Sequence, residues 1–295
     1  MPIKSFLDYI LLEKKYSQHT VTAYKNDITS FQGFCINEFG GEDIVNVNYA
    51  QIRSWIVSLV NSGISNQSIN RKVSSLKSFY KFLQKTKQLT SNPLIKHKAL
   101  KVAKRVQVPF SEKEIESVIN SIDEIVDFES VRDKLIVELL YSTGMRRNEL
   151  INLKLSDIDK SNQVVKVLGK RNKERYIPLL KSVLDSLTIY HEFRFEIKTD
   201  QSYLFITKNG KKIYDTLVYR IINNYFSKVS SKVKKSPHVI RHSFATHLLN
   251  EGADLNSVKE LLGHSSLAST QVYTHSSLGK LKEVYNLAHP RSEKN

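Results

Sequence analysis

Ser236-Pro237-His238-Val239-Ile240-Arg241-His242-Ser243-Phe244-Ala245-Thr246-His247 is the stretch that decides how the chain is read. Its spacing is that of a helix start, where His238 and Arg241, three residues apart, point the same way. Several histidines in one place invite a metal reading. No His-Glu-x-x-His pair, no carboxylate at ligand spacing and no cysteine partner accompanies them, so no metal is expected. His242 and His247 share the helix and read as packed, hydrogen-bonded structural groups.

Upstream, Ser142-Thr143-Gly144-Met145-Arg146-Arg147-Asn148-Glu149-Leu150 sets a glycine before two arginines and a carboxylate. Glu149 lies three residues after Arg146 and can hold its guanidinium, and from this segment alone a purely structural ion pair fits equally well. Arg147 reads as an ion-pair or phosphate-contact residue. Downstream come Leu262-Gly263-His264 and then Val272-Tyr273-Thr274-His275.

The 295 residues carry 45 Lys+Arg against 29 Asp+Glu, a formal charge of +16, so a polyanionic partner is expected, with nucleic acid the first candidate and an anionic membrane the second. No apolar run approaches the roughly 20 residues that span a bilayer, and no signal peptide opens the chain. A cytoplasmic protein with no membrane partner is the expectation. The single cysteine, Cys35, excludes an internal disulfide and reads as a small buried apolar group. No P-loop is present, so no nucleotide cofactor is expected.

Two domains suit this length. In the first, Phe6, Leu7, Ile10 and Leu11 form one helical stripe, and Val21, Tyr24, Ile28 and Phe31 another, capped by Ser17. A third stripe, Ile69, Val73, Leu76, Tyr80 and Leu83, starts from a cap at Ser65 or Ser68. Residues 1–94 therefore read as an all-helical bundle. Between Ile44 and Ser111 no Asp or Glu occurs, while Arg71, Lys72, Lys77 and Lys81 punctuate the third stripe. One-signed charge without interspersed Glu favours DNA contact over a merely solvated face.

Asn92-Pro93 ends that stripe, and the basic stretch 95–109, closed by Pro109, reads as a linker. Ser111 and Glu114 form a capping box that opens the second domain, 110–295. There Leu135 to Tyr141 is helical, and Gln163 to Leu168 and Glu174 to Leu179 are strands joined by the basic turn Gly169-Lys170-Arg171-Asn172-Lys173. Asn209-Gly210 suggests a second short hairpin. From Thr216 onward the chain reads as helical. Leu281, Val284 and Leu287 make a last apolar stripe, fit to be buried in its own core or on a neighbour.

At Arg146, Lys170, His238-x-x-Arg241, His264 and Tyr273 the chain resembles the tyrosine recombinase/integrase family. Thr-Gly-Met-Arg-Arg-Asn-Glu-Leu, Gly-Lys-Arg-Asn-Lys-Glu-Arg-Tyr-Ile-Pro-Leu, Ser-Pro-His-Val-Ile-Arg-His-Ser-Phe-Ala-Thr-His-Leu-Leu, Leu-Leu-Gly-His-Ser-Ser and Thr-Gln-Val-Tyr-Thr-His follow the family's boxes in order. Ser17-Gln18-His19-Thr20 and Tyr24 look like its core-binding domain. The terminal Ala288-His289-Pro290-Arg291 and the compact length look most like the bacterial Xer recombinases.

The resemblance implies a mainly α chain: a SAM-like core-binding bundle, then a mostly α catalytic domain of the DNA breaking-rejoining fold with a small antiparallel sheet. It implies site-specific strand cleavage and rejoining through a 3′-phosphotyrosine at Tyr273 and a Holliday junction. Arg146, Arg241 and His264 would stabilise the phosphate, His238 would serve as base, Lys170 would protonate the leaving oxygen, and Glu149 would orient His238 or an arginine. Arg71, Lys72, Lys77, Lys81 and Arg171 would contact DNA. Arg171 departs from the glycine common after that lysine.

The resemblance further implies a homotetramer, or a heterotetramer with a second recombinase, on a double-stranded recombination site. Dimer resolution in chromosome partition and cell division, on the bacterial nucleoid and with a septal DNA translocase as candidate partner, is the expected role. A mobile-element integrase, a type IB topoisomerase and a non-catalytic DNA-binding protein are the alternatives.

Overall fold

The computed structural model describes residues 2–41, 43–103, 107–123, 127–169, 173–199, 202–263 and 275–292. The chain divides into two compact units, Met1–Arg105 and Val106–Asn295.

The first unit is built from α1 (Pro2–Asp8), which continues as a π-turn, α2 (Gln18–Phe39), α3 (Tyr49–Asn61) and α4 (Asn66–Lys85). Each later helix starts where a side chain satisfies a free backbone N–H. Ser17 accepts from Thr20, Asn48 from Gln51, and Ser65 from Ser68. Helix α3 lies outside the stripes read from the sequence. Its buried face is Ile52, Trp55, Ile56 and Leu59, but exposed Val57 and Val60 on the other side blur the period. Trp55, packed against Phe31, is a large part of this core, since truncating a buried side chain of this size costs about 3–5 kcal/mol. Cys35 is buried, as read.

The first half of the expected linker is part of this unit. Leu94 is fully buried, Asn70 exchanges two hydrogen bonds with the backbone of Leu100, and Asn66 donates to the carbonyl of Lys101. Side-chain amides on α4 thus hold an irregular tail that composition alone presents as loose.

The second unit opens with the Ser111–Glu114 capping box and α5 (Glu112–Asp123). Helix α6 (Phe128–Thr143) is buried nearly all round, which makes it the central element. Then come α7 (Arg147–Asn152) and an antiparallel sheet of β1 (Ile158–Asp159), β2 (Val164–Leu168) and β3 (Glu174–Pro178), in that order. Alternation fixes the sheet's faces: Val165, Val167 and Ile177 are buried, and Arg175 pairs opposite Val167. The second hairpin is reduced to one bridge, Ile206 to Lys212, around Gly210.

Helices α8 (Lys181–Phe195), α9 (Asp215–Val229), α10 (Pro237–Asn250), α11 (Leu255–Leu262) and α12 (His275–Ala288) complete the unit. Helix α12 packs on its own unit. Leu281, Tyr285 and Ala288 join the core, the Tyr285 hydroxyl donates to the carbonyl of Ser142 at 2.9 Å, and Arg291 pairs with Glu138 at 3.1 Å. Leu287, expected in the apolar stripe, is 76% exposed, because Tyr285 and Ala288 occupy the inward positions instead. Among the described residues, no helix is long and apolar enough to cross a membrane.

Candidate active site

The site grows from the end of α6. Gly144 terminates that helix with φ +58°, and a Cβ there would lie 2.3 Å from the Phe244 ring, so only glycine fits. The turn buries Met145 and delivers Arg146 in extended conformation to the first position before α7. Glu149, on the first turn of α7, accepts from the Arg146 backbone N–H at 2.7 Å and from its guanidinium at 2.8 Å. Arg147 turns away to Asp215 on α9, 3.1 Å distant, where it is the ion-pair residue expected.

Pro237 sits in the first turn of α10, where its missing N–H costs nothing. His238 is exposed, and Arg241, one turn on, is 7% exposed. The Arg241 guanidinium donates to the carbonyl of Gly144 at 2.6 Å and to that of Leu262 at 2.7 Å, which ties α10 to the ends of α6 and α11. His247, further along, is buried and bonded to the Tyr141 hydroxyl at 2.9 Å, a packing role. His242 is exposed.

Helix α11 supplies the third wall. Its last carbonyls are met by three different arginines: Leu261 accepts from Arg175 Nε at 2.9 Å, Leu262 from Arg241, and Gly263 is approached by Arg146 at 3.5 Å. Cations suit this end of a helix, where unpaired carbonyls concentrate partial negative charge. Arg175 also forms a fork-to-fork pair with Glu149 at 2.7 and 3.0 Å. Among the described residues, the Glu149 carboxylate takes its hydrogen bonds from Arg146 and Arg175, two on each oxygen. Of its two expected partners, Arg146 is the one bonded to it here.

Two guanidiniums thus bond one carboxylate and a third, Arg241, stands on carbonyls nearby, leaving two positive charges in a partly buried place. Burial, and then the charge of Arg146, push Arg241 down to about 10, which leaves it protonated at neutral pH. Burial, then Arg241, His242 and Lys234, hold the His238 imidazole below its usual value, so it is neutral there. Such a place favours an anion, and the neutral imidazole of His238 precedes Arg241 by one turn of the same helix.

Glu149 should also carry stability. Removing one partner of a buried pair leaves the other charges uncompensated, so Glu149→Ala is expected to destabilise this unit by about 3–5 kcal/mol, read as a lower urea midpoint. Burial alone would raise its carboxyl, yet Arg175 and Arg146 hold it below the usual carboxylate range. Its contribution is therefore complete above the unfolded pKa of about 4.3 and fades as pH falls through the folded value. Glu149→Gln should flatten that acid limb.

Of the residues expected at the site, Arg146, Glu149, His238 and Arg241 come together from two segments, the start of α7 and the first turns of α10. Lys170, Arg171, His264 and Tyr273 lie outside the described residues. Arg175 was not anticipated. Its one sequence signal is a charge at an inward strand position, in register with Ile177. In the first unit, Arg71 and Lys72 both reach Asp27, a carboxylate 1% exposed, Arg71 at 2.5 and 2.9 Å and Lys72 at 3.3 Å, while Ser75 donates to it at 2.7 Å. Arg71 remains half exposed. Lys77 lies close enough to His97 to lower its pKa further, after burial, and Lys81 is exposed.

Residues 108–279 match the family described as phage integrase family, and residues 3–87 match the phage integrase N-terminal SAM-like domain. Among curated relatives, Tyrosine recombinase XerC of Listeria innocua is 39% identical over 98% of this chain and 97% of its own. That of Chlorobaculum parvum is 37% identical over 98% of this chain and 94% of its own. Among solved structures, the XerH site-specific recombinase bound to its palindromic difH substrate matches with a TM-score of 0.71 at 23% identity, over 92% of this chain and 80% of that one. By these matches across nearly its whole length, the chain belongs to the phage integrase family of tyrosine recombinases and is a site-specific recombinase.

Proposed function

We propose that this recombinase cleaves each strand of a duplex DNA site through a 3′-phosphotyrosine at Tyr273 and exchanges strands through a Holliday junction, resolving chromosome or plasmid dimers. The observation that carries the reading is the pair Arg146 and Arg241, held on one side of the α11 end by fixed hydrogen bonds and left with excess positive charge. Arginine stays protonated and presents a planar donor fork, so the pair suits a scissile phosphate whose charge rises in the transition state.

In the reaction, the Tyr273 oxygen attacks phosphorus while His238 takes its proton. The bond from phosphorus to the 5′-oxygen breaks, its electron pair leaves with that oxygen, and Lys170 supplies the proton. His264 donates to a non-bridging oxygen. The new phosphodiester retains the energy of the broken one, so a partner strand's 5′-hydroxyl reseals it with no nucleotide. The arginines, Lys170 and the histidines supply the charge neutralisation, and no metal is required.

The first unit serves as the core-binding domain, with Arg71, Lys72, Lys77 and Lys81 on phosphates, and the second as the catalytic domain, with Arg171 adding a phosphate contact. Asp27 supports this by anchoring two of those cations at one end while Arg71 stays open to solvent. Four protomers assemble on two sites, as one species or with a second recombinase. The setting is the nucleoid in the cytoplasm, where a septal translocase would regulate the exchange.

Purified protein given two copies of its site is expected to form Holliday junctions and recombinants. Relaxation of supercoils on any sequence with no exchange between sites would instead make it a topoisomerase. The pH profile tests the base. His238 must be neutral to act, so cleavage is expected to fall on acidification only below the ordinary histidine value of 6.5, and His238→Ala to lose that limb along with most of the rate.

A further inference from the structure

The buried face of α2 is Val21, Ile28, Phe31 and Cys35, and among these apolar side chains stands one carboxylate, Asp27, 1% exposed. A buried charge is costly unless it is paired, and an apolar residue of similar size in its place is often neutral or stabilising. Stability alone does not account for it. Among the described residues, its partners all come from one turn of α4. Ser75 donates at 2.7 Å, Lys72 at 3.3 Å, and Arg71 from both terminal nitrogens, Nη1 at 2.5 Å and Nη2 at 2.9 Å.

These partners differ in exposure. Ser75 is buried and the Lys72 side chain is 18% exposed, whereas that of Arg71 is 54% exposed and shares the open face of α4 with Ser74 and Lys81. Asp27 holds Nη1 and Nη2, which fixes the guanidinium plane, and the Nε–H edge has no partner among the described residues. No acid on α4 itself competes for Arg71. We infer that Asp27 is a positioning residue for DNA binding, which holds Arg71 so that its open edge meets a phosphate of the duplex. The inference rests on the core-binding reading of this unit given above. A free arginine would lose its rotamer freedom on binding, and each such side chain immobilised at an interface weakens association by about 2–10-fold. Asp27 has that ordering done when the unit folds.

The sign of one substitution separates positioning from simple electrostatics. Asp27→Asn removes a negative charge beside a face that binds a polyanion, so charge alone would tighten binding. Loss of positioning would weaken it. Phosphate contacts carry no sequence information, so a short duplex of arbitrary sequence serves as the probe. Arg71→Ala is expected to weaken binding and to lower the salt slope by about 1. Asp27→Asn is expected to weaken it by about 2–10-fold at about 0.15 M salt and to lower the slope in the same direction. Added to Arg71→Ala, it should weaken binding no further, because the residue through which it acts is gone.

Unchanged or tighter binding by Asp27→Asn would overturn the inference. So would an equal loss with and without Arg71, the mark of a merely structural tie between α2 and α4. If Asp27→Asn does not fold, Arg71→Lys takes its place, since it keeps the charge but replaces the fixed fork with a mobile ammonium. The same loss of about 2–10-fold is expected, and wild-type affinity in Arg71→Lys would then sink the idea. Wild-type protein that does not bind the duplex would strike the core-binding reading itself. Failure of the inference alone leaves wild-type binding and the Arg71→Ala defect intact.

Discussion

A nicked suicide duplex is expected to trap the wild-type chain as a covalent protein–DNA adduct on a denaturing gel, and Tyr273→Phe to yield none. The substitution keeps the ring and removes the only atom that attacks, so the expected loss exceeds about 10⁴-fold while duplex affinity stays unchanged. Tyr273 is one of 14 tyrosines. Its place nine residues after His264, downstream of Arg146, Lys170, His238 and Arg241, is what singles it out. A phenol with an unperturbed pKa of about 10 is a poor nucleophile at neutral pH, and needs both a base and nearby cations. In the proposed reaction His238, held neutral, and the arginine cluster provide them. Adduct that survives Tyr273→Phe would move the nucleophile to another side chain.

Loss of Arg241 is expected to be almost as severe. Arg241→Ala should lower the rate of adduct formation by about 10³–10⁵-fold, the range seen when a guanidinium that meets transition-state charge is removed from a phosphoryl-transfer site. Its two carbonyl bonds fix the plane of the guanidinium before DNA arrives, so little reorganisation remains to be done during the reaction. The same bonds give the substitution a structural cost. Each carbonyl left unpaired is worth about 1–3 kcal/mol, so the rates must be compared well below the melting temperature of the variant. Arg241→Lys separates the two effects, since it keeps a cation but loses the fork. Cleavage within tenfold of wild type in Arg241→Lys would show that charge alone suffices and that the held plane does not matter.

Several local features were readable in the chain because their partners are local. The Ser17 and Ser65 caps and the Ser111–Glu114 box each close within three residues. The strands β2 and β3 follow from apolar alternation. Helix α3 was obscured because apolar residues on its exposed face dilute the period. The linker looked loose from composition, yet Asn70 and Asn66 hold its first half in place.

Chain order and residue type were enough to propose the chemistry: the excess of cations, the absence of acid from Ile44 to Ser111, and the ordered boxes that hold Arg146, Lys170, His238, Arg241, His264 and Tyr273. Those properties are written one residue at a time. Tertiary structure alone decided how the charges are balanced. Arg241 meets Gly144 across 97 residues, Arg175 meets Leu261 across 86, and Tyr285 meets Ser142 across 143. No periodicity encodes such pairings, because they depend on where α6, α10, α11, α12 and the sheet come to rest. Only there does Glu149 become the shared anchor of two arginines, and Arg175, one basic residue among 45, become the hub of the site.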